Sequence, residues 1–405
     1  MLDRSVSACL GLSCSVRYSC NRYMLAYTGD ATRWAAYNAC ISDSRQWRPN
    51  MKIHIVPIEP MLERYSAQWL DWIATYLIQN PIIQTRIYEP YDYLHTQTTS
   101  TITHGQFLDV YETNSYKMTQ LQWLIEALKS GQIANGDTIL LLDGWFPGIE
   151  TIAYIRDCMG LNIKIVALFH AGTYDPHDYL TQKRVGYWGQ DIENGWFKIY
   201  DKVLVATHYH RQLLCNSRCV EPHKVQVVFF PMFHTWNPIE VERHPKLVVF
   251  PHRHVPEKQY DLFDKLANNN DPNLGFIYQA THGPNFTNKE HYYRTLNSAT
   301  YSISMALQET WGIAMIESVL AGCIPIVPDR LSYSELYPTL FKYPDVDGIQ
   351  TISAIENKLE QLTQIKKTNP DLLEDTLKNL QEIFLALGAV AIPTIFNHCY
   401  QRTEQ

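Results

Sequence analysis

The chain has 405 residues, with 34 Lys and Arg against 41 Asp and Glu and a net charge of -7, which excludes attachment to nucleic acid by bulk charge alone. Apolar residues make up 46% and charged residues 19%, so the chain is globular rather than disordered, and its length suits two or three domains. No apolar run approaches the ~20 residues of a membrane-spanning helix, and the expectation is a soluble, cytoplasmic protein.

Residues 1–50 stand apart. They hold Cys9, Cys14, Cys20 and Cys40, six Arg and no Lys, without a helical or strand period. The cysteine spacings do not match the usual pairs of a zinc site, so no metal is expected. This stretch reads as a disordered or spurious extension, and folding is expected to begin at Met51. The other cysteines (Cys158, Cys215, Cys219, Cys323, Cys399) are scattered and suit reduced thiols.

From Met51 strand-like and helix-like runs alternate. A strand at 52–56 precedes a helix with Trp69, Leu70, Ile73, Tyr76 and Leu77 at 3.6 spacing. Next come a strand near Ile82–Tyr88, a polar loop around 92–112, and a helix presenting Leu121, Leu124, Ile125 and Leu128. Further strands read at Thr138–Leu142, Ile163–Phe169, Lys202–Ala206 and Val225–Phe229. The pattern restarts with a strand at Lys246–Phe250, a helix at 257–268 and a strand at Gly275–Tyr278. A helix near 289–298, a strand at 300–304, a helix at 313–321 and a strand at 323–327 follow, and 372–405 reads as helices. Such alternation predicts an α/β protein with two doubly wound, Rossmann-like domains facing across a cleft. The expected division is an acceptor-side domain over 51–243, a nucleotide-binding domain over 244–380, and a C-terminal helix over 381–405 that crosses back.

Ligands of doubly wound sheets bind at the carboxyl ends of the strands. Two second-domain segments sit there. Arg253 and Lys258 are fixed cations on a loop that opens a helix, which suits a diphosphate or, equally, a solvated surface loop. Glu309 precedes a turn in which Gly312 opens a helix through Ile313 and Ala314, small enough for backbone N–H groups to approach a phosphate. Glu317 lies further in, where a carboxylate can accept bonds from ribose hydroxyls. One solvated and one capping Glu would give the same pattern.

These residues resemble a known family. The stretch Glu309–Pro325, with its Glu-x7-Glu spacing, is similar to the donor-site signature of retaining GT-B glycosyltransferases of the family-4-like group. His252–Lys258 resembles that family's phosphate loop, and Tyr293–Ala299 resembles the helix ahead of its Glu motif. The resemblance implies a nucleotide-sugar co-substrate, no required cofactor or metal, and transfer with retention. Arg253 and Lys258 would hold the diphosphate, Glu309 the transferred sugar and Glu317 the ribose, while Gly312, Ile313 and Ala314 would line the site. Val56–Tyr65 lacks the family's Gly-rich loop; Arg64 stands there either as a substitute cation or as an ordinary surface arginine.

On the acceptor side, His170 follows a strand and faces the expected cleft, as does a strand-end His in many family members. Asp143 ends another strand. Trp188 and Trp196 belong to an aromatic loop that could stack on a flat acceptor or simply pack. Pro328–Leu336 is similar to a form in enzymes that glycosylate modified nucleobases, including tRNA queuosine mannosyltransferases. Glu59–Trp69 resembles uncharacterised phage glycosyltransferases, for which hydroxymethylated DNA is the expected acceptor. The resulting expectation is sugar transfer to a modified base in DNA or tRNA. A small-molecule, lipid or glycan acceptor is the alternative, and a non-catalytic sugar-nucleotide binder is the alternative of another class.

Overall fold

The computed structural model describes residues 51–61, 65–89, 109–232, 239–269, 275–282 and 288–400. The extension 1–50 and Arg64 lie outside them.

The first half of the chain alternates β1 (Ile53–Val56), α1 (Tyr65–Gln79), β2 (Thr85–Ile87), α2 (Val110–Lys129), β3 (Thr138–Leu141) and α3 (Ile149–Cys158). It continues through β4 (Lys164–Leu168), α4 (Val185–Ile199), β5 (Lys202–Val205), α5 (His208–Ser217) and β6 (Val225–Val227). These strands form one parallel sheet in the order β2-β1-β3-β4-β5-β6. β1, β3, β4 and β5 are near-continuous apolar runs, as a parallel sheet covered on both faces requires, and almost all of their residues are buried. At the start of α2 the Asp109 carboxylate caps the helix, accepting from the N–H groups of Tyr111 and Glu112.

The second half runs β7 (His244–Phe250), a 3-10 turn at Pro256–Lys258, α6 (Tyr260–Asn268), β8 (Ile277–Ala280), α7 (Lys289–Ser298) and β9 (Ala299–Ile303). Then follow α8 (Ile313–Leu320), β10 (Ile324–Pro328), α9 (Leu331–Leu336), β11 (Lys342–Tyr343), α10 (Ile349–Thr368) and α11 (Pro370–Tyr400). The second sheet is also parallel, in the order β11-β10-β9-β7-β8. In each sheet the chain leaves its first strand to one side and returns on the other. The switch points, where such sheets bind ligands, therefore lie between β1 and β3 and between β7 and β9.

The aromatic loop expected around Trp188 and Trp196 is instead the helix α4. Its glycines lower helix propensity, but close packing decides: a Cβ on Gly186 would stand 2.4 Å from the Thr181 carbonyl, and one on Gly189 2.7 Å from the Thr173 side chain. Trp196 faces inward, buried edge-on against Trp145 at 5.1 Å, and its indole N–H donates to Glu150. It is a core residue and cannot stack on an acceptor. Trp188, on the same helix, is 44% exposed.

α11 runs straight through the boundary expected at 380. Gln381 donates to the Val319 carbonyl of the second domain, while Thr138 of β3 donates to the Cys399 carbonyl at the helix's far end. Between these points Gly388 meets the segment joining the two domains so closely that a Cβ would stand 2.2 Å from the Met232 carbonyl oxygen. By length and composition α11 could cross a membrane, contrary to the sequence expectation that no segment would, but 61% of its apolar window is buried within the fold.

Candidate donor site and interdomain cleft

The second-domain switch point brings together the loop after β7 and the loop after β9. The Leu307 N–H donates to the Glu257 carbonyl at 2.8 Å. Lys258 donates to the Gln308 carbonyl, to the Gln308 side chain at 3.2 Å and to Glu309 Oε1 at 2.6 Å. Lys258 and Glu309 are thus one ion pair, with side chains 8% and 13% exposed. Removing one partner of a buried pair leaves the other charge stranded, at a cost of about 3–5 kcal/mol. Gln259, in a left-handed conformation, ties its amide to the Met305 carbonyl, and Arg330 donates to the carbonyls of Met305 and Ala306. The Glu309 loop is therefore held from three sides.

His252 is also buried there. Its Nε2 is hydrogen-bonded to Ser304 Oγ at 2.9 Å, its Nδ1 lies 3.9 Å from Glu309, and burial, assisted by Lys258, holds its pKa well below the usual imidazole range. Arg253 is more open, 35% exposed and 3.9 Å from Glu257. Gly312 has φ 84 and begins α8. Any Cβ there would come within 3.1 Å of the Tyr333 ring and 3.9 Å of Glu309 Oε2. The first-turn N–H groups of Ile313 and Ala314 lack intrahelical acceptors, and the helix dipole favours an anion at that end. The ion pair and the helix start meet at Glu309, and Arg253 stands on the same loop as Lys258.

Glu317 is arranged differently from the expectation. It is buried, and its oxygens accept from the hydroxyls of Tyr292 at 2.6 Å and Tyr293 at 3.0 Å. Burial raises its pKa, with Lys289 opposing. The two tyrosines each take up one acceptor position on the oxygens that the resemblance reserves for a ribose. Tyr293 also accepts from Gln68 of α1 at 3.2 Å, which links Glu317 to the first domain.

Across the cleft, His170 follows β4. Its Nε2–H donates to the Leu142 carbonyl at 2.8 Å, so Nδ1 is the free acceptor facing the Tyr65 hydroxyl at 3.3 Å. Its ring packs against Phe230 and Trp69, centroids 4.8 and 5.0 Å away. Burial lowers its pKa despite the opposing charge of Asp143, and the imidazole is neutral at pH 7. The His170 carbonyl accepts from Thr310 Oγ1 at 2.8 Å, and the Thr310 carbonyl accepts from Thr207 Oγ1 at 2.9 Å. His170 and Glu309 are thereby brought to the same cleft. Asp143 is committed to Lys117 at 2.7 Å. Nearby, Glu335 of α9 accepts from the N–H groups of His208 and Tyr209 at 3.0 and 2.9 Å, capping α5 from the opposite domain. Thr310, Glu335, His252 and the Tyr292–Tyr293 pair were given no role from sequence, although all but Tyr292 lie within the stretches that carry the resemblance. Among the described residues no group of three or more His, Cys, Asp or Glu could hold a metal ion.

No protein-family profile matches the sequence. Part of it is similar to the tRNA-queuosine alpha-mannosyltransferase of Drosophila melanogaster, 31% identical over 113 residues, which is 26% of this chain and 29% of that protein. The chain thus matches under a third of that relative's length. Among solved structures, sucrose-phosphate synthase from Thermosynechococcus elongatus superposes with a TM-score of 0.60 at 13% identity, over 86% of this chain and 98% of that one. The catalytic domain of starch synthase IV from Arabidopsis thaliana, bound to ADP and acarbose, gives 0.57 at 13% identity, over 87% and 99%. A glycosyltransferase from Rickettsia africae gives 0.56 at 13% identity, over 86% and 97%. The fold is GT-B.

Proposed function

We propose that the chain is a glycosyltransferase that moves a sugar, with retention, from a nucleotide-sugar donor to a hydroxyl of a modified nucleobase, with tRNA the favoured carrier and hydroxymethylated DNA the second. The observation that carries the donor half is the Lys258–Glu309 pair beside the start of α8. As the bond between sugar and diphosphate breaks, negative charge grows on the leaving oxygen. Cations and helix N–H groups fixed at that place stabilise it without reorganising. Arg253 and Lys258 supply the cations, and Gly312, Ile313 and Ala314 supply the backbone. Glu309, oriented by Lys258, faces the transferred sugar. His170, neutral and pointing Nδ1 away from Leu142, lines the acceptor side.

Support for the donor class comes from the starch synthase of the same fold that was obtained with ADP. Support for a nucleobase acceptor comes from the partial similarity to a tRNA-queuosine mannosyltransferase and from the aromatic residue Trp188 on the first domain's surface.

The full chain is to be titrated with UDP-, GDP- and ADP-sugars while its melting temperature is read. The donor that stabilises it is then offered with bulk tRNA and with hydroxymethylated DNA, and the products are weighed by mass spectrometry. One stabilising donor and one sugar-mass gain on a nucleic acid are expected. Stabilisation without transfer refutes the acceptor, and no stabilisation by any donor refutes the function.

A further inference from the structure

The segment 169–184, between β4 and α4, carries two buried carboxylates that the donor chemistry leaves unused. Asp175 is 2% exposed and Asp178 8%. Each uses one oxygen to hold its own loop: Asp175 Oδ1 accepts from the His177 N–H at 2.9 Å, and Asp178 Oδ1 from the Leu180 N–H at 2.8 Å. The other oxygen of Asp175, Oδ2, is buried with no hydrogen-bond donor among the described residues. Buried carboxylate oxygens are almost always satisfied, because leaving one bare is costly. The loop is not slack enough to explain the vacancy. The Asp175 N–H donates to the Gly172 carbonyl at 3.1 Å, and the Asp175 carbonyl accepts from both the Asp178 N–H and Thr181 Oγ1.

Asp175 also stands at the cleft. Five residues earlier, His170 is bonded through its carbonyl to Thr310 of the second domain. The charges of Lys258 and Glu309 both act on the Asp175 carboxylate from the opposite wall, and its charge in turn acts on Tyr209 at the start of α5. The contacts of Thr310 and Glu335 hold this wall against the second domain.

We propose that Asp175 is the acceptor-binding group of the cleft, its Oδ2 accepting a hydrogen bond from the hydroxyl that receives the sugar. The ligand class is a neutral or cationic hydroxyl-bearing group. An anion is disfavoured, because Asp175 is itself a carboxylate with Asp178 close by. The inference rests on the glycosyl-transfer reading of the cleft and adds the residue that orients the second substrate.

The test compares wild type with Asp175→Asn, which keeps the shape and the bond to His177 but halves the acceptor capacity and removes the charge. Donor affinity is read from melting-temperature titration with the nucleotide sugar found above. Transfer is read on the nucleic acid that it glycosylates and, as a probe independent of that acceptor, on glycerol at high concentration. Unchanged donor affinity with transfer reduced ten- to a hundredfold, expressed as a raised acceptor KM, is the expected result for loss of one charge-assisted hydrogen bond. Unchanged transfer to both acceptors overturns the proposal while leaving the donor site intact. A parallel loss of melting temperature and donor affinity overturns it in favour of a structural role. Should Asn disturb the loop, Asp175→Ser retains an oxygen for the His177 N–H and is read in the same way. Failure of every nucleotide sugar to bind wild type is a distinct outcome and sinks the underlying function.

Discussion

Replacing Asp178 by Asn removes a group whose ionisation the fold resists. Burial, with Asp175, Glu193 and Glu257 nearby, raises its pKa from 3.8 to about 7, while its hydrogen bond from the Leu180 N–H opposes the rise. The unfolded chain therefore releases this proton first, and between pH 4 and 7 it binds fewer protons than the folded one. Stability then falls with rising pH, by about 1.4 kcal/mol per unit, and the loss levels off near about 4 kcal/mol above pH 8. Asn keeps an oxygen for the Leu180 N–H and carries no charge, so it is spared this loss. The gain of Asp178→Asn over wild type should thus be larger at pH 8 than at pH 5, by about 2.5 kcal/mol. Chemical denaturation of both proteins at the two pH values measures it. Titrating groups that do not act on Asp178 are common to both and cancel. A gain that does not change with pH, or one larger at pH 5, would refute the reasoning.

Three further outcomes are expected. Gly388→Ala should lower stability by about 1–3 kcal/mol or more in a thermal or denaturant melt, because the new methyl has a backbone carbonyl 2.2 Å away that it cannot displace cheaply. Lys258→Met should cost about 3–5 kcal/mol by stranding Glu309, and the double variant with Glu309→Gln should recover most of that stability without recovering donor affinity, which a double-mutant cycle reads directly. Glu335→Ala removes the cap of α5 that comes from the other domain, worth about 0.5–2 kcal/mol; small-angle scattering of the donor-free protein should show a more open pair of domains.

The strands were the most legible part of the chain, because parallel strands buried on both faces are written as unbroken apolar runs, as in β3 and β4. Helix α10 was passed over although Ile352, Ile355, Leu359 and Leu362 recur at helical spacing and are all buried. α4 was misread because Gly186, Gly189 and Gly195 read as loop residues, whereas Gly186 and Gly189 are there to let the helix approach Thr181 and Thr173. Within the site, the meeting of Lys258 with Glu309 could be anticipated, since each follows a strand that flanks the same switch point. The capping of Glu317 could not. It depends on how α7 packs over α8, which brings Tyr292 and Tyr293 onto one carboxylate. The bare oxygen of Asp175 has no signature at all in a linear sequence, because only the closed tertiary loop withholds its donor.

The bond between Thr138 and the Cys399 carbonyl joins residues 261 positions apart, and it closes the chain into a circuit. During synthesis the first sheet emerges well before the helix that covers its β3–β4 face, which follows the whole of the second sheet in the chain. Until that helix has followed, the β3–β4 face is left without its covering layer. The two halves therefore cannot mature one after the other as beads on a string. The first sheet is completed only by a helix that follows the second.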